Sequence, residues 1–196
     1  LQIQGSGLVT LSLWDGSELI SSFEIVDARM RMFDPLIRRS GVLSSNLNGI
    51  TIGVFLHDHF REYFDDGTIE LTDAFQNYET SSVKIPVFLG AVYNLVHNAV
   101  YWCRQATAVV PKIRLSSDSH LLVISDSGPG VSPRDSIRIF NPGFSCKPYG
   151  RGLGLFIASE ALKGIGYDLL LASETQPGAL DGANFVIMKQ ETDDDE

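Results

Sequence analysis

The stretch Leu121-Leu122-Val123-Ile124-Ser125-Asp126-Ser127-Gly128-Pro129-Gly130 decides how this chain is read. An apolar run, read as the core of a strand over His120–Asp126, ends on an aspartate beside a glycine turn. Glycines there permit close approach of another group, and a carboxylate so placed can accept a hydrogen bond from an adenine amino group. An Asp-started turn would use the same tetrapeptide without any ligand, so both readings stand at this point.

Working upstream, Lys112–Ser117 reads as the antiparallel partner of this strand, joined through Asp118-Ser119. Before it, residues 85–107 have the strongest helical period in the chain, with Phe88, Ala91, Val92, Leu95, Ala99 and Trp102 predicted as the buried stripe. That helix carries Asn94-Leu95-Val96-His97-Asn98-Ala99. Residues 94 and 98 are one turn apart on one face, away from much of the apolar stripe. Their amide oxygens are neutral, hard ligands suited to Mg²⁺ that keeps waters and phosphates as its other partners. Two asparagines on a solvated face would look the same.

Working downstream, Ser132-Pro133 opens a short helix with a Ser cap. Phe140-Asn141-Pro142-Gly143-Phe144 follows, then Gly150-Arg151-Gly152-Leu153-Gly154-Leu155, which runs into a helix over about 153–163. Glycines at a helix N-terminus let backbone N–H groups face a polyphosphate. A flexible loop has the same composition. Strands near Tyr167–Ser173 and Ala183–Lys189 close the pattern. At the other end, a helix is predicted over 50–65, stopped at Gly67 and followed by an alternating strand over Thr68–Phe75. Residues 1–16 read as extended, and Phe23, Val26, Met30, Phe33 and Ile37 recur at helical spacing, in a helix that Pro35 should kink or interrupt. The element order implies an α+β fold, a two-layer sandwich with helices on one face of a mixed sheet.

An Asn-rich helix, strand-Asp-x-Gly-x-Gly, Phe-Asn-Pro-Gly-Phe and Gly-x-Gly-x-Gly-Leu occur here in the order of the N, G1, F and G2 boxes. The chain therefore resembles the gyrase, heat-shock chaperone, histidine kinase and MutL (GHKL) ATPases, most of all the catalytic domain of bacterial sensor histidine kinases. The resemblance covers roughly residues 85–189 and, more loosely, 50–75. It implies the Bergerat ATP-binding fold over 46–190, after an N-terminal segment at 1–45 that resembles a dimerisation-helix remnant, and before an acidic tail at 191–196. It also implies ATP and Mg²⁺ as ligands. Asn98 would hold the metal beside Asn94, Asp126 would read the adenine amino group, and Gly128 and Gly130 would shape the base pocket. Gly150, Gly152, Leu153 and Gly154 would line the phosphates. Residues 140–151, Phe144 among them, would form the lid, with Lys147 and Arg151 as its cations. For Lys147, a solvated loop lysine is the competing reading.

Hydrolysing branches of the superfamily carry a Glu one turn before the metal Asn. Here that position is Asn94, and an amide cannot act as a general base. The difference favours the kinase branch, in which a separate helix supplies the attacking imidazole. Partners implied are a phosphoacceptor His-bearing helix, upstream or in trans, a response regulator, and a second copy as a homodimer. Tyr101 stands where many such kinases have a phosphate-contacting Lys, Asn141-Pro142-Gly143 replaces an acidic-Pro-aromatic segment, and no phosphoacceptor box is present. A conformational ATPase and a degenerate nucleotide-binding interaction module are the alternatives.

The remaining residues exclude other classes. A net charge of −9 does not suit a nucleic-acid surface. No apolar run approaches the roughly 20 residues of a membrane helix, so no membrane contact and a cytoplasmic location are expected. Two cysteines, Cys103 and Cys146, form no disulfide framework or zinc spacing. No Gly-Lys pair exists for a P-loop, and neither glycine cluster fits the Rossmann spacing. His57-Asp58-His59 reads as surface, His97 as partly buried and His120 as a hairpin residue.

Overall fold

The computed structural model describes residues 44–106, 109–118, 120–148, 150–172 and 179–190. The expectations for the N-terminal extended segment, the Phe23–Ile37 helix and the acidic tail lie outside these residues. In chain order the elements are β1 (Ser45–Asn48), α1 (Gly49–Asp65), β2 (Ile69–Leu71), α2 (Asp73–Gln76), β3 (Glu79–Val83), α3 (Ile85–Gln105), β4 (Ile113–Asp118), β5 (Leu121–Asp126), α4 (Pro133–Ser136), α5 (Gly154–Lys163), β6 (Tyr167–Leu171) and β7 (Asn184–Lys189).

Five strands form one sheet in the order β2-β4-β5-β7-β6, with β2 parallel to β4 and every other pair antiparallel. The small β1–β3 pair stands apart as an antiparallel ribbon. The period of two along the strands sends Ile113 and Leu115, Leu122 and Ile124, and Phe185 and Ile187 into one core with the apolar faces of the long helices. Ile52, Leu56 and Phe60 come from α1, Phe88, Val92, Leu95 and Val96 from α3, and Ala158 and Leu162 from α5. The result is the expected α+β sandwich, with helices layered on one face of a mixed sheet.

Two details differ from expectation. The alternating stretch after Gly67 is a strand only to Leu71. Thr72 then caps α2, its hydroxyl accepting from the Phe75 N–H at 3.2 Å, with Asp73 in the first turn. A capping threonine with an acidic neighbour won over the period-two pattern, and Phe75 reaches the core from a helix instead. On α3, Trp102 is only half-buried, and Cys103 continues the buried stripe in its place. The remaining predicted elements appear within a few residues of their expected bounds, whereas β1, α2 and β3 were not foreseen.

The period of two also aims the site. Leu122 and Ile124 enter the core, and Asp126, the next residue on that side of the strand, is buried with them. Gly67, at φ 76°, is the left-handed turn that stops α1 and starts β2.

Candidate functional site

Asp126 is 1% exposed. Its backbone N–H donates to the Ala183 carbonyl at 3.0 Å, and its carbonyl accepts from the Gly182 N–H at 2.9 Å. Its Oδ1 accepts from the Gly128 N–H at 2.9 Å and the Ala183 N–H at 3.2 Å. Both side-chain bonds fall on one oxygen, and no donor among the described residues reaches Oδ2. Burial pushes this carboxyl above the ordinary carboxylate range, opposed by the two backbone N–H bonds. A buried acceptor with one open oxygen is suited to a neutral N–H donor from a ligand.

Neighbouring residues hold this aspartate still. The Ser127 N–H donates to the Lys112 carbonyl at 2.9 Å, its hydroxyl accepts from the Lys112 N–H at 2.8 Å, and that hydroxyl donates to the Val110 carbonyl at 3.2 Å. On the other side, the 2%-exposed Asn184 accepts from the Leu180 N–H at 3.1 Å and donates to the carbonyls of Leu180 at 2.9 Å and Gly182 at 3.2 Å. Ser127, Gly182, Ala183 and Asn184 were not singled out in the sequence. The Asp181-Gly182 pair just before a strand was the one local hint, and its relation to Asp126 is a contact across 56 positions.

Asn94 and Asn98 are both half-buried on α3, and neither side-chain amide has a hydrogen-bond partner among the described residues. Tyr101 continues their face one turn on. The loop approaches that turn, for the Lys147 ammonium lies 4.2 Å from the Tyr101 ring centre and 6.0 Å from that of Trp102. Lys147, Tyr101 and the two asparagines thus gather at one helix, whereas Arg151 is exposed just ahead of α5.

The three loop glycines are not equivalent. A Cβ on Gly152, which has φ 65°, would stand 2.3 Å from the Phe144 carbonyl oxygen, and the Gly152 carbonyl accepts from the Gly143 N–H at 3.1 Å. This close approach bonds the Gly-rich loop to the Phe140–Phe144 segment, where Arg138 covers the Phe144 ring at 4.5 Å. At Gly150 a Cβ would meet Ser145 and Lys147. Gly154 faces open space. It begins α5, whose cap position is Leu153, with no capping side chain and no acidic residue in the first turn. The first N–H groups of that helix therefore lack the side-chain acceptor such ends normally carry. Gly128 lies against Trp102, and Gly130, at φ 73°, against Gly182.

No group of three or more His, Cys, Asp or Glu that could hold a metal exists among the described residues. His59 instead pairs its Nδ1 with the Phe55 carbonyl at 2.7 Å, and the His57 ring lies tilted against Phe64, centres 5.3 Å apart. Cys103 is buried against the Lys112 carbonyl, and Cys146 is exposed. No described helix is long and apolar enough to cross a membrane.

The parts of the candidate site are a buried aspartate at a strand end, a helix carrying two half-buried amides, and a glycine-rich helix start. Residues 87–192 match the profile of the histidine kinase-, DNA gyrase B- and HSP90-like ATPases, and the chain belongs to that family. Among curated proteins it is similar to the signal transduction histidine-protein kinase/phosphatase MprB of Mycobacterium leprae. The two are 36% identical over 93 residues, 45% of this chain and 18% of that protein. It is also similar to the sensor histidine kinase ZraS of Salmonella typhi, 32% identical over 88 residues, 44% of this chain and 19% of the relative. The matched region thus spans under a fifth of these relatives. Among solved structures, the catalytic domain of histidine kinase ThkA superposes with a TM-score of 0.57 at 22% identity, covering 76% of this chain and 96% of that one. The mycobacterial sensor histidine kinase MprB superposes at 0.52 and 22%, covering 76% and 99%. These likenesses establish the shared fold.

Proposed function

We propose that this domain binds ATP with Mg²⁺ and passes the γ-phosphoryl group to a histidine outside residues 46–190, as the catalytic domain of a two-component sensor kinase. The observation that carries this reading is the pairing of a buried, half-satisfied Asp126 carboxylate with an amide, not a carboxylate, at residue 94. Asp126 Oδ2 would accept the adenine amino proton. Gly128 and Gly130 keep side chains out of the base pocket, and Asn98, with its unpaired oxygen, would ligate the metal. The metal supplies charge neutralisation to the phosphates. The uncapped start of α5, at Leu153 and Gly154, offers N–H groups to the same phosphates, with Gly150 and Gly152 shaping the loop and Lys147 and Arg151 as cations.

Transfer breaks the bond between the γ-phosphorus and the β–γ bridging oxygen and forms one to an imidazole nitrogen, releasing ADP. Such a step relies on positioning and charge stabilisation, which this domain provides without a base of its own. A histidine-bearing helix and a response regulator are the partners this chemistry requires, with a location in the cytoplasm where ATP is available.

The test is incubation of the longest natural chain containing these residues with γ-labelled ATP and Mg²⁺. Acid-labile, base-stable label on protein, lost in Asn98→Ala, is the expected result. Steady ADP release without any phosphoprotein would establish a conformational ATPase instead. Binding without either product would establish an interaction module.

A further inference from the structure

The segment from Asp135 to Phe144 is folded by three successive turns of the same span. The Arg138 N–H donates to the Asp135 carbonyl at 2.9 Å, the Asn141 N–H to the Arg138 carbonyl at 2.9 Å, and the Phe144 N–H to the Asn141 carbonyl at 3.2 Å. Bonds of this span bring side chains three positions apart to one side of the chain. Arg138 thereby stands between Asp135 and Phe144. Its Nη2 donates to Asp135 Oδ1 at 2.9 Å and its Nε to the same oxygen at 3.3 Å, while its guanidinium lies 4.5 Å from the centre of the Phe144 ring. Asp135 is held in turn, because Ser132 Oγ donates to its Oδ2 at 2.8 Å. The row is also anchored to the rest of the domain. Phe140 meets Phe185 of β7 edge-on, ring centres 6.3 Å apart, and the Gly143 N–H donates to the Gly152 carbonyl at 3.1 Å.

We propose that Arg138 is a positioning residue for the loop at 140–151. By clamping the Phe144 ring to Asp135 of α4, it holds the Phe144 carbonyl against Gly152 and keeps the start of α5 set for a polyphosphate. The proposal rests on the nucleotide reading above. A Cβ at residue 152 would stand 2.3 Å from the Phe144 carbonyl oxygen, so the Gly-rich loop follows wherever Phe144 goes. A loose loop would lose conformational entropy at each binding event, whereas one already fixed does not. A guanidinium suits the clamp, since its planar fork binds a carboxylate along its edge while its face covers a ring. Its charge is met by Asp135, so what it contributes to the phosphates is the position of the loop and not attraction.

The experiment compares Arg138→Ala, Phe144→Leu, their pair and Asp135→Asn with the unsubstituted full chain. It uses calorimetric titration with ATP and with adenosine, both with Mg²⁺, and tryptic cleavage after Lys147 and Arg151 without nucleotide. Arg138→Ala should weaken ATP about fivefold, the worth of a cation on an aromatic face, with adenosine changed less than about twofold. Phe144→Leu should match that loss, and the pair should be no worse than either single variant. Asp135→Asn should weaken ATP about twofold, because it loosens the same clamp. If Arg138 instead reached the phosphates, freeing it from Asp135 would tighten ATP, so tighter binding by Asp135→Asn overturns the proposal. Additive losses in the pair, equal losses for ATP and adenosine, or parental ATP binding by Arg138→Ala would overturn it as well. Cleavage in Arg138→Ala should be about threefold faster, as a more often open loop is cut sooner, and an unchanged rate counts against the clamp. If the unsubstituted chain binds neither ligand, it is the nucleotide reading that falls, and cleavage alone then judges the clamp.

Discussion

Gly182 and Asp126 are in backbone contact across the sheet: a Cβ on Gly182 would stand 2.4 Å from both the carbonyl oxygen and Oδ1 of Asp126. The same glycine donates its N–H to that carbonyl at 2.9 Å. The carboxylate is therefore placed by the segment before β7 as much as by its own strand.

Any side chain at residue 182 must push against backbone, which cannot swing away. Gly182→Ala is expected to destabilise the fold by roughly 1–3 kcal/mol, in the range of overpacked interior positions. It should also weaken adenosine, which has no phosphates, because the damage lies at Asp126. Urea unfolding together with adenosine titration checks both. A variant with parental stability and parental adenosine affinity would contradict the contact.

Gly154 gives the opposite expectation. A Cβ there meets nothing, and the residue opens α5. Gly154→Ala should leave stability unchanged or raise it by up to about 1 kcal/mol, the difference in helix propensity. If phosphates approach this helix start, the same variant should lose about tenfold or more in ATP affinity while keeping adenosine, since charge-assisted N–H contacts are displaced. Thermal unfolding and paired titrations separate the two effects. Equal affinity for ATP in variant and parent would remove the helix start from the site.

The raised carboxyl of Asp126 makes a signed pH prediction. A carboxyl raised by burial binds its proton more tightly in the folded state than in the unfolded chain. Its favourable contribution is therefore present below the ordinary carboxylate range and is lost as pH rises through the raised value. Asp126→Asn should accordingly be more stable than the parent at neutral pH, by a margin that shrinks on acidification. The variant should bind adenosine poorly at every pH. Its carbonyl would keep the two backbone N–H bonds, turning an NH₂ group toward the purine amino donor. Denaturant melts over roughly pH 4 to pH 8 would check the sign, as those values span the normal carboxylate range and neutrality. A margin that grows on acidification would show that burial is not what perturbs this group.

Much of this was legible in the chain because it is carried by local patterns. The 3.6-residue period of α3 placed Asn94 and Asn98 on one face, and the run into Asp126 marked a strand end. The order of glycine clusters pointed to one nucleotide-binding fold. Where two local signals competed the reading failed: after Gly67 the period of two suggested a strand, but the Thr72 cap turned the chain into α2.

What the sequence determined by itself, then, is the inventory of the candidate site, since helix faces, strand ends and helix starts follow from side-chain period and from backbone preference over a few residues. Only the tertiary structure decided how those parts are held. The clamp of Gly182, Ala183 and Asn184 on Asp126, the meeting of Gly152 with Phe144, and the seat of Lys147 on Tyr101 all join residues distant in the chain. No periodicity encodes such contacts, because they depend on which strands become neighbours in the sheet and how closely two backbones can approach once the core has closed.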